Sequence, residues 1–310
     1  MHSSLRRAIT ATACFAAAVA VVAPTSAASA ADPDLRASVA NPVHVVAVTG
    51  TDNGLWVKYT DEANFRNLGG ILTDAPAVAL GYEADYFVGV GGDRSLWVRT
   101  LDRGWQRLGQ ANARCAGVSA VVSADLFVVA CRGDDNAGWV AWGQVPSGDG
   151  IPTIGNFVRL GGVLKHGLSV IDAADYSNDN PRANAIYIGV GTDNRPYFNP
   201  GGGRPWQLAD NTTCGGTLTF SEFGDVGACR NLSTDAMKTF HFNREDYPMT
   251  GRVQGRTGVA VDLEDGDTRH YALGIDGNIY VARQAPDGTL GGFRLFGGSG
   301  KFGISAASFS

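Results

Sequence analysis

The sequence predicts an all-β chain folded as a single β-propeller of about six four-stranded blades. Three observations predict it. One short Gly-x-Asp-x-x-x-Trp/Tyr segment occurs five times, three of its four spacings are near forty residues or twice that, and no long segment has a helical hydrophobic period. Gly, at 42 residues of 310, suits many short strands joined by tight turns.

The repeated segment reads as a β-hairpin. Gly50-Thr51-Asp52-Asn53-Gly54-Leu55-Trp56 returns as Gly91-Gly92-Asp93-Arg94-Ser95-Leu96-Trp97 and as Gly133-Asp134-Asp135-Asn136-Ala137-Gly138-Trp139. It returns again as Gly191-Thr192-Asp193-Asn194-Arg195-Pro196-Tyr197 and Gly274-Ile275-Asp276-Gly277-Asn278-Ile279-Tyr280. Apolar runs such as Val45–Val48 enter it, and aromatic-bearing runs such as Leu55-Trp56-Val57 leave it. Gly, Asp and Asn between two such runs tolerate positive φ and bond their own backbone, so the Asp is expected to close the turn.

A second signature supplies the outer strand. Phe65-Arg66-Asn67-Leu68-Gly69-Gly70, Trp105-Gln106-Arg107-Leu108-Gly109 and Phe157-Val158-Arg159-Leu160-Gly161-Gly162 are close copies. Trp206-Gln207-Leu208 and Phe293–Gly298 are looser ones. Small apolar runs follow: Ala77–Leu80, Val118–Val121, Leu168–Ile171 and Val259–Val261. Small side chains suit an innermost strand, where blades crowd the axis. The turn glycines are spaced by 41, 42, 58 and 83 residues. The 58 holds extra loop at 146–154 and 172–185, and the 83 holds two units, with a degenerate turn at Cys229-Arg230-Asn231. A forty-residue period of four strands is propeller spacing. Phe302–Ala307 is expected to close the ring as the inner strand of blade one; Leu35–Ala40 competes for that place, and use of both would make a partial seventh blade.

The N-terminus reads as an export signal. Arg6 and Arg7 precede an apolar stretch from Ala8 to about Ala23, and Ala28-Ser29-Ala30 fits a signal-peptidase site. This divides the chain into a signal peptide, 1–30, and a secreted propeller, 31–310, without a transmembrane segment in the mature chain. Cleavage removes two basic residues and no acidic one, lowering the formal charge of −5 by two. A mildly acidic chain without a basic cluster excludes nucleic acid as the expected partner. Cys14 leaves with the signal, and an even number of cysteines remains. Cys115 and Cys131 hold the same two places in one repeat as Cys214 and Cys229 in another, which predicts the disulfides Cys115–Cys131 and Cys214–Cys229 among three connectivities.

Gly-x-Asp-Gly-x-Leu-Trp hairpins followed by Trp-x-x-Leu-Gly resemble tectonin-type repeats and the PLL-like family of bacterial propeller lectins. The resemblance spans about residues 43 to 310 and departs from the pattern in the fifth unit and in the long loops of the third and fourth. It implies several sugar sites, often between neighbouring blades, and glycans or glycoconjugates as partners.

The residues themselves offer candidates. A ring at Trp56, Trp97, Trp139, Tyr197 or Tyr280 can stack on the apolar face of a sugar while polar neighbours bond its hydroxyls. Recurrence would give weak sites with avidity. The plainer reading is that these rings fill the gap between blades. Lys58 and Arg99 lie two residues beyond Trp56 and Trp97, on the same strand face, placed to bond a ligand or cover the ring. Trp105, Trp142 and Trp206 recur less regularly and rank lower. The repeated Asp residues serve turn closure better than metal or catalysis. The oxygen-rich loop 172–180 lacks the spacing of a calcium loop. Catalytic motifs are thin: His44, His166, His241 and His270 form no HExxH or HxH, and no nucleophile elbow or phosphate loop is complete. Glu264-Asp265-Gly266-Asp267 is the densest carboxylate cluster, and Glu222 and Glu245 are also available for a glycosidase pair. The leading expectation is a glycan-binding propeller without catalysis, cofactor or metal. Extracellular protein contact is second and a glycosidase third.

Overall fold

The computed structural model describes residues 44–109, 114–123, 125–171, 185–221, 226–241, 248–261, 267–289 and 291–308. It is all-β there, and its strands form six four-stranded antiparallel blades. The signal peptide, Cys14 and the segment 35–40 lie outside the described residues, as do all but the last residue of the loop 172–185 and Glu222, Glu245, Glu264 and Asp265.

Blade 1 contains β1 (His44–Thr49), β2 (Leu55–Tyr59) and β3 (Arg66–Gly69). Blade 2 is β4 (Ala77–Leu80), β5 (Asp85–Val90), β6 (Leu96–Arg99) and β7 (Gln106–Arg107). Blade 3 is β8 (Cys115–Ser123), β9 (Leu126–Gly133), β10 (Gly138–Gln144) and β11 (Val158–Gly161). Blade 4 is β12 (Leu164–Ile171), β13 (Ile186–Gly191), β14 (Pro196–Asn199) and β15 (Gln207–Leu208). Blades 5 and 6 share a long strand. β16 (Thr219–Phe220), β17 (Val226–Arg230) and β18 (Ala236–His241) lead into β19 (Pro248–Val261), which continues to β20 (Thr268–Gly274), β21 (Asn278–Gln284) and β22 (Arg294–Ser299). The first part of β19 pairs with β18, and its last part with β20, so one strand is outermost in blade 5 and innermost in blade 6.

The ring closes as the C-terminal sequence predicts. β23 (Ile304–Ser308) pairs antiparallel with β1, with Ala306 opposite Val46 and Ile304 opposite Val48. The last strand thus completes the first blade and ties the two ends of the described chain together. The inner strands pack in cyclic order, β23 on β4, β4 on β8, β8 on β12, β12 on β16, β16 on β19 and β19 on β23. Six blades therefore complete the circle.

Burial follows distance from the axis. β1 and β4 are buried on both faces, β2 and β6 alternate buried with half-buried, and β7 and β15 are exposed. This gradient is what the apolar inner runs, alternating third strands and polar outer strands encode. At the crowded axis a side chain has no room: a Cβ on Gly117 would stand 2.3 Å from the Gly167 Cα. Both cysteine pairs are bonded as expected, each within one blade, with Cα separations of 5.6 and 5.7 Å. Two disulfides suit an oxidising compartment. Among the described residues no helix is long and apolar enough to cross a membrane.

Candidate functional site

The repeated segment is one mechanical unit. In blade 1, Asp52 Oδ1 accepts from Gly54 N at 2.9 Å and from Trp56 Nε1 at 3.0 Å, and Oδ2 accepts from Asn67 Nδ2 of the outer strand at 3.0 Å. Asn53 takes the positive φ the turn requires, as do Arg94, Asn136, Asn194 and Gly277 at the equivalent places. The opening glycine is explained by the ring: a Cβ on Gly50 would lie 2.5 Å from the Trp56 indole, and one on Gly133 2.5 Å from that of Trp139. Asp135 repeats the clamp with Ala137 N at 3.0 Å, Trp139 Nε1 at 2.9 Å and Arg159 Nε at 2.9 Å. Asp93 holds Ser95 N at 3.0 Å and Trp97 Nε1 at 3.4 Å. Tyr197 and Tyr280 donate to Asp193 and Asp276 at 2.9 and 2.7 Å. The electrostatics follow: bonds from Trp139 and Arg159 hold the Asp135 carboxyl down at about 2, and donation to Asp193 raises the Tyr197 phenol. Each of the five aromatics is thus held at its polar edge and on one side, and remains half-buried.

The two cations have matching roles. Lys58 Nζ crosses to blade 6, donating to Phe296 O at 3.3 Å and lying 4.3 Å from the Phe296 ring centroid. Burial pulls its ammonium below the usual lysine range. Arg99 crosses to blade 1, donating to Leu68 O. Phe296 and Leu68 are equivalent residues, each just before a Gly-Gly pair, so both cations staple a blade to the one before it. Blades 3, 4 and 6 place Ala141, Asn199 and Ala282 two residues beyond their aromatics, and a cation follows the aromatic only in blades 1 and 2 of these five.

Sequence reasoning ranked Trp105 and Trp206 low, and the structure gives them a definite task. Trp105 packs on Gly70 and Trp206 on Gly162, each the glycine of the preceding blade, as Phe65 does on Gly298. A Cβ on Gly70 would come within 2.5 Å of Trp105 Nε1. The Gly-Gly pair of the second signature is therefore a receptor for the aromatic that opens the next blade's second signature, and the recurrence of Gly-Gly is the signal in the sequence that could have found it.

One cleft brings predicted site residues together. Between blades 6 and 1, a cavity of about 300 Å³ is lined by Gly50, Thr51, Trp56, Lys58, Ala63, Asn64, Phe65, Gly297, Gly298 and Ser299. It offers two aromatic rings, one ammonium, an amide and hydroxyls, and no carboxylate among its lining residues. Trp97 and Arg99 hold the corresponding positions toward blade 1. Trp139, Tyr197 and Tyr280 belong to other blades, so the seven candidates are distributed around the ring rather than gathered. Of the Glu264–Asp267 cluster only Asp267 is described, buried beside Arg269 and Arg283. No cluster of three metal-binding side chains occurs among the described residues.

No family model matches the chain, and no curated protein sequence matches it. Solved structures do. TolB from Acinetobacter baumannii aligns with a TM-score of 0.56 and 11% identity over 86% of this chain and 66% of that one. A nidogen/laminin complex aligns at 0.51 and 11%, over 85% of this chain and 98% of its partner in the alignment. A triple arginine-to-alanine mutant of AofleA from Arthrobotrys oligospora aligns at 0.52 and 12%, over 76% and 75%. This chain thus spans just under two thirds of the TolB chain it matches. These neighbours are propellers, and identity this low carries the fold alone: the protein is a six-bladed β-propeller closed by its C-terminal strand.

Proposed function

We propose that the protein is a secreted, glycan-binding propeller of the tectonin and PLL-like kind, without catalysis of its own. The observation that carries this reading is the cleft between blades 6 and 1. A sugar presents an apolar face and a rim of hydroxyls. Trp56 and Phe65 offer rings for the face, while Asn64, Lys58 and Ser299 offer bonds for the rim. Trp56 suits the task because Asp52 fixes its edge, so little side-chain freedom remains to be lost on binding. The equivalent position of Trp97 and Arg99 supports a second, related cleft, and two linked weak sites favour surfaces that display many copies of a sugar. The export signal and the disulfides favour action outside the cytoplasm. The absence of a carboxylate from the cleft lining speaks against a glycosidase pair at this place.

Binding of the purified protein to a broad glycan array tests the reading. Retention of one sugar class, competed by the free sugar and lost in Trp56→Ala with the fold intact by circular dichroism, is the expected result. A folded protein silent across the array would overturn it.

A second reading, protein contact, rests on different residues. Ile71 and Val163 are 72% and 63% exposed, and both sit on crossovers that lean on a repeat turn, through Leu72 N to Asn53 O and Leu164 N to Asn136 O. Ile275 stands in a repeat turn itself, 54% exposed. Apolar residues recurring on the turn-bearing face favour a protein partner there.

A further inference from the structure

The mouth of the ring on the turn-bearing side carries a cluster that the rim cleft does not use. The inner strands of blades 3, 4 and 6 are bulged at this end, with register shifts at Ala116/Ser119, Leu164/Leu168 and Gln254/Gly258. Bulges of this kind re-aim side chains. In blade 4 the extra residues are Lys165, His166 and Gly167. Gly167 lies against Gly117 of blade 3, and Thr217 Oγ1 of blade 5 would be 3.3 Å from a Cβ on Gly117, so the leads of three blades converge.

Two arginines flank that point. Arg132 stands opposite Ala116 in blade 3, and Arg230 O accepts from Gly215 N at 2.7 Å in blade 5. They follow Cys131 and Cys229, so each is set by its blade's disulfide in the same place. Arg132 Nη1 donates to Asn136 Oδ1 at 2.8 Å, Arg230 Nη2 to Gly215 O at 3.1 Å and Lys165 Nζ to Asn194 Oδ1 at 2.7 Å. The Nε groups of both arginines find no acceptor among the described residues. Arg132 and Lys165 make no ion pair among them, while Arg230 Nη1 lies 3.9 Å from Asp235 Oδ1. The carboxylate acting on His166 is Asp74, and its oxygens are already taken, Oδ1 by Ala75 N at 2.8 Å and Oδ2 by Gly117 N at 2.6 Å. Burial, then Lys165, Arg132 and Arg230, push the half-buried His166 imidazole down to about 4. A field of that sign is what an anion would relieve.

We propose that this mouth binds a phosphate- or sulfate-type oxyanion, held by Arg132, Lys165 and Arg230, with His166 as a further donor. Guanidinium groups approaching from two blades match the several acceptor oxygens of a tetrahedral oxyanion. The chemistry is the same whether the group is a free ion or an ester on a larger molecule, and it does not depend on the rim cleft binding sugar. Bound anion must raise the proton affinity of His166, by linkage.

The test is a pH titration of the His166 ring by NMR on the full chain, in chloride and in inorganic phosphate at matched ionic strength. A saturable, phosphate-dependent upward shift is expected. Arg132→Gln and Arg230→Gln should each weaken phosphate at least about tenfold, the loss of one charge-assisted bond. Lys165→Gln, at an exposed position, should weaken it severalfold and keeps the test decisive if an arginine variant misfolds. A shift no larger in phosphate than in chloride, or one that survives all three substitutions, would overturn the site. A hexose 6-phosphate and a sulfated disaccharide run alongside phosphate separate the sources: tighter binding of an ester supports the site and assigns it to a conjugate, and equal binding supports it as a site for the free ion.

Discussion

Blades 3 and 5 carry the same disulfide on different turns. In blade 3, Asp135 closes a turn in which Gly133 N bonds Ala137 O, and it holds both the Trp139 indole and Arg159. In blade 5, Asn231 N bonds Ala236 O, one residue further along, and no aromatic follows at the repeat position. Asp235 there takes the positive φ, at 56°, and still meets an arginine of the outer strand, Arg252 Nη2 to Oδ2 at 2.9 Å. The difference separates what the turn needs from what the ring adds. A carboxylate tied to the outer strand survives an inserted residue, whereas the indole clamp depends on a fixed four-residue offset between Asp and aromatic.

Removing the disulfides should show the largest effect. The loops closed by Cys115–Cys131 and Cys214–Cys229 span 16 and 15 residues, so chain entropy assigns each about 3 kcal/mol. Chemical denaturation of the two paired Cys→Ala variants is expected to give equal losses. A greater loss in blade 5 would mean that its disulfide also compensates for the missing clamp. Next comes the blade 3–4 contact. Gly162→Ala places a Cβ 2.7 Å from Trp206 Nε1 at a φ of 80°, and overpacking of this kind costs about 1–3 kcal/mol by the same measurement. Asp135→Ala leaves an amide, an indole and a guanidinium without their acceptor and should cost about 1–2 kcal/mol. Asp235→Ala, which frees the exposed Arg252 and one weak contact of the half-buried Arg230, should cost under about 1 kcal/mol. Equal costs would break the comparison.

Acid should separate the two regions more finely. The His166 pKa lies at about 4, below its ordinary 6.5, so the native state refuses a proton the unfolded chain accepts. Stability in chloride should therefore fall as pH drops from 6.5 toward 4. Asp135, at about 2 against 3.8, contributes stability above its unfolded pKa that is lost as pH falls from about 4 toward 2. His166→Gln should flatten the upper window alone, and Asp135→Asn the lower one alone, in thermal melts across pH.

Much of the architecture is written in local chemistry. Gly50, Asp52 and Trp56 specify a hairpin because each residue type answers a local demand: ring clearance, turn closure, ring placement. The same holds for the disulfide pairs, whose spacing matches two neighbouring antiparallel strands. The forty-residue period follows from repeating that unit, and the run at 302–307 was recognisable as an inner strand without a blade of its own. Blade number was not decided locally, because six and seven differ only in whether the last strand meets the first; the packing of β23 between β19 and β4 settles it. The partnership of Lys58 with Phe296, 238 residues away, likewise exists only after closure. Nor does any motif announce His166, since Arg132, Lys165 and Arg230 are scattered in sequence and act on it together only where blades 3, 4 and 5 converge at the axis. Local residue chemistry determined the blade; the closing of the ring decided which blades face each other, and with that where the clefts and charges lie.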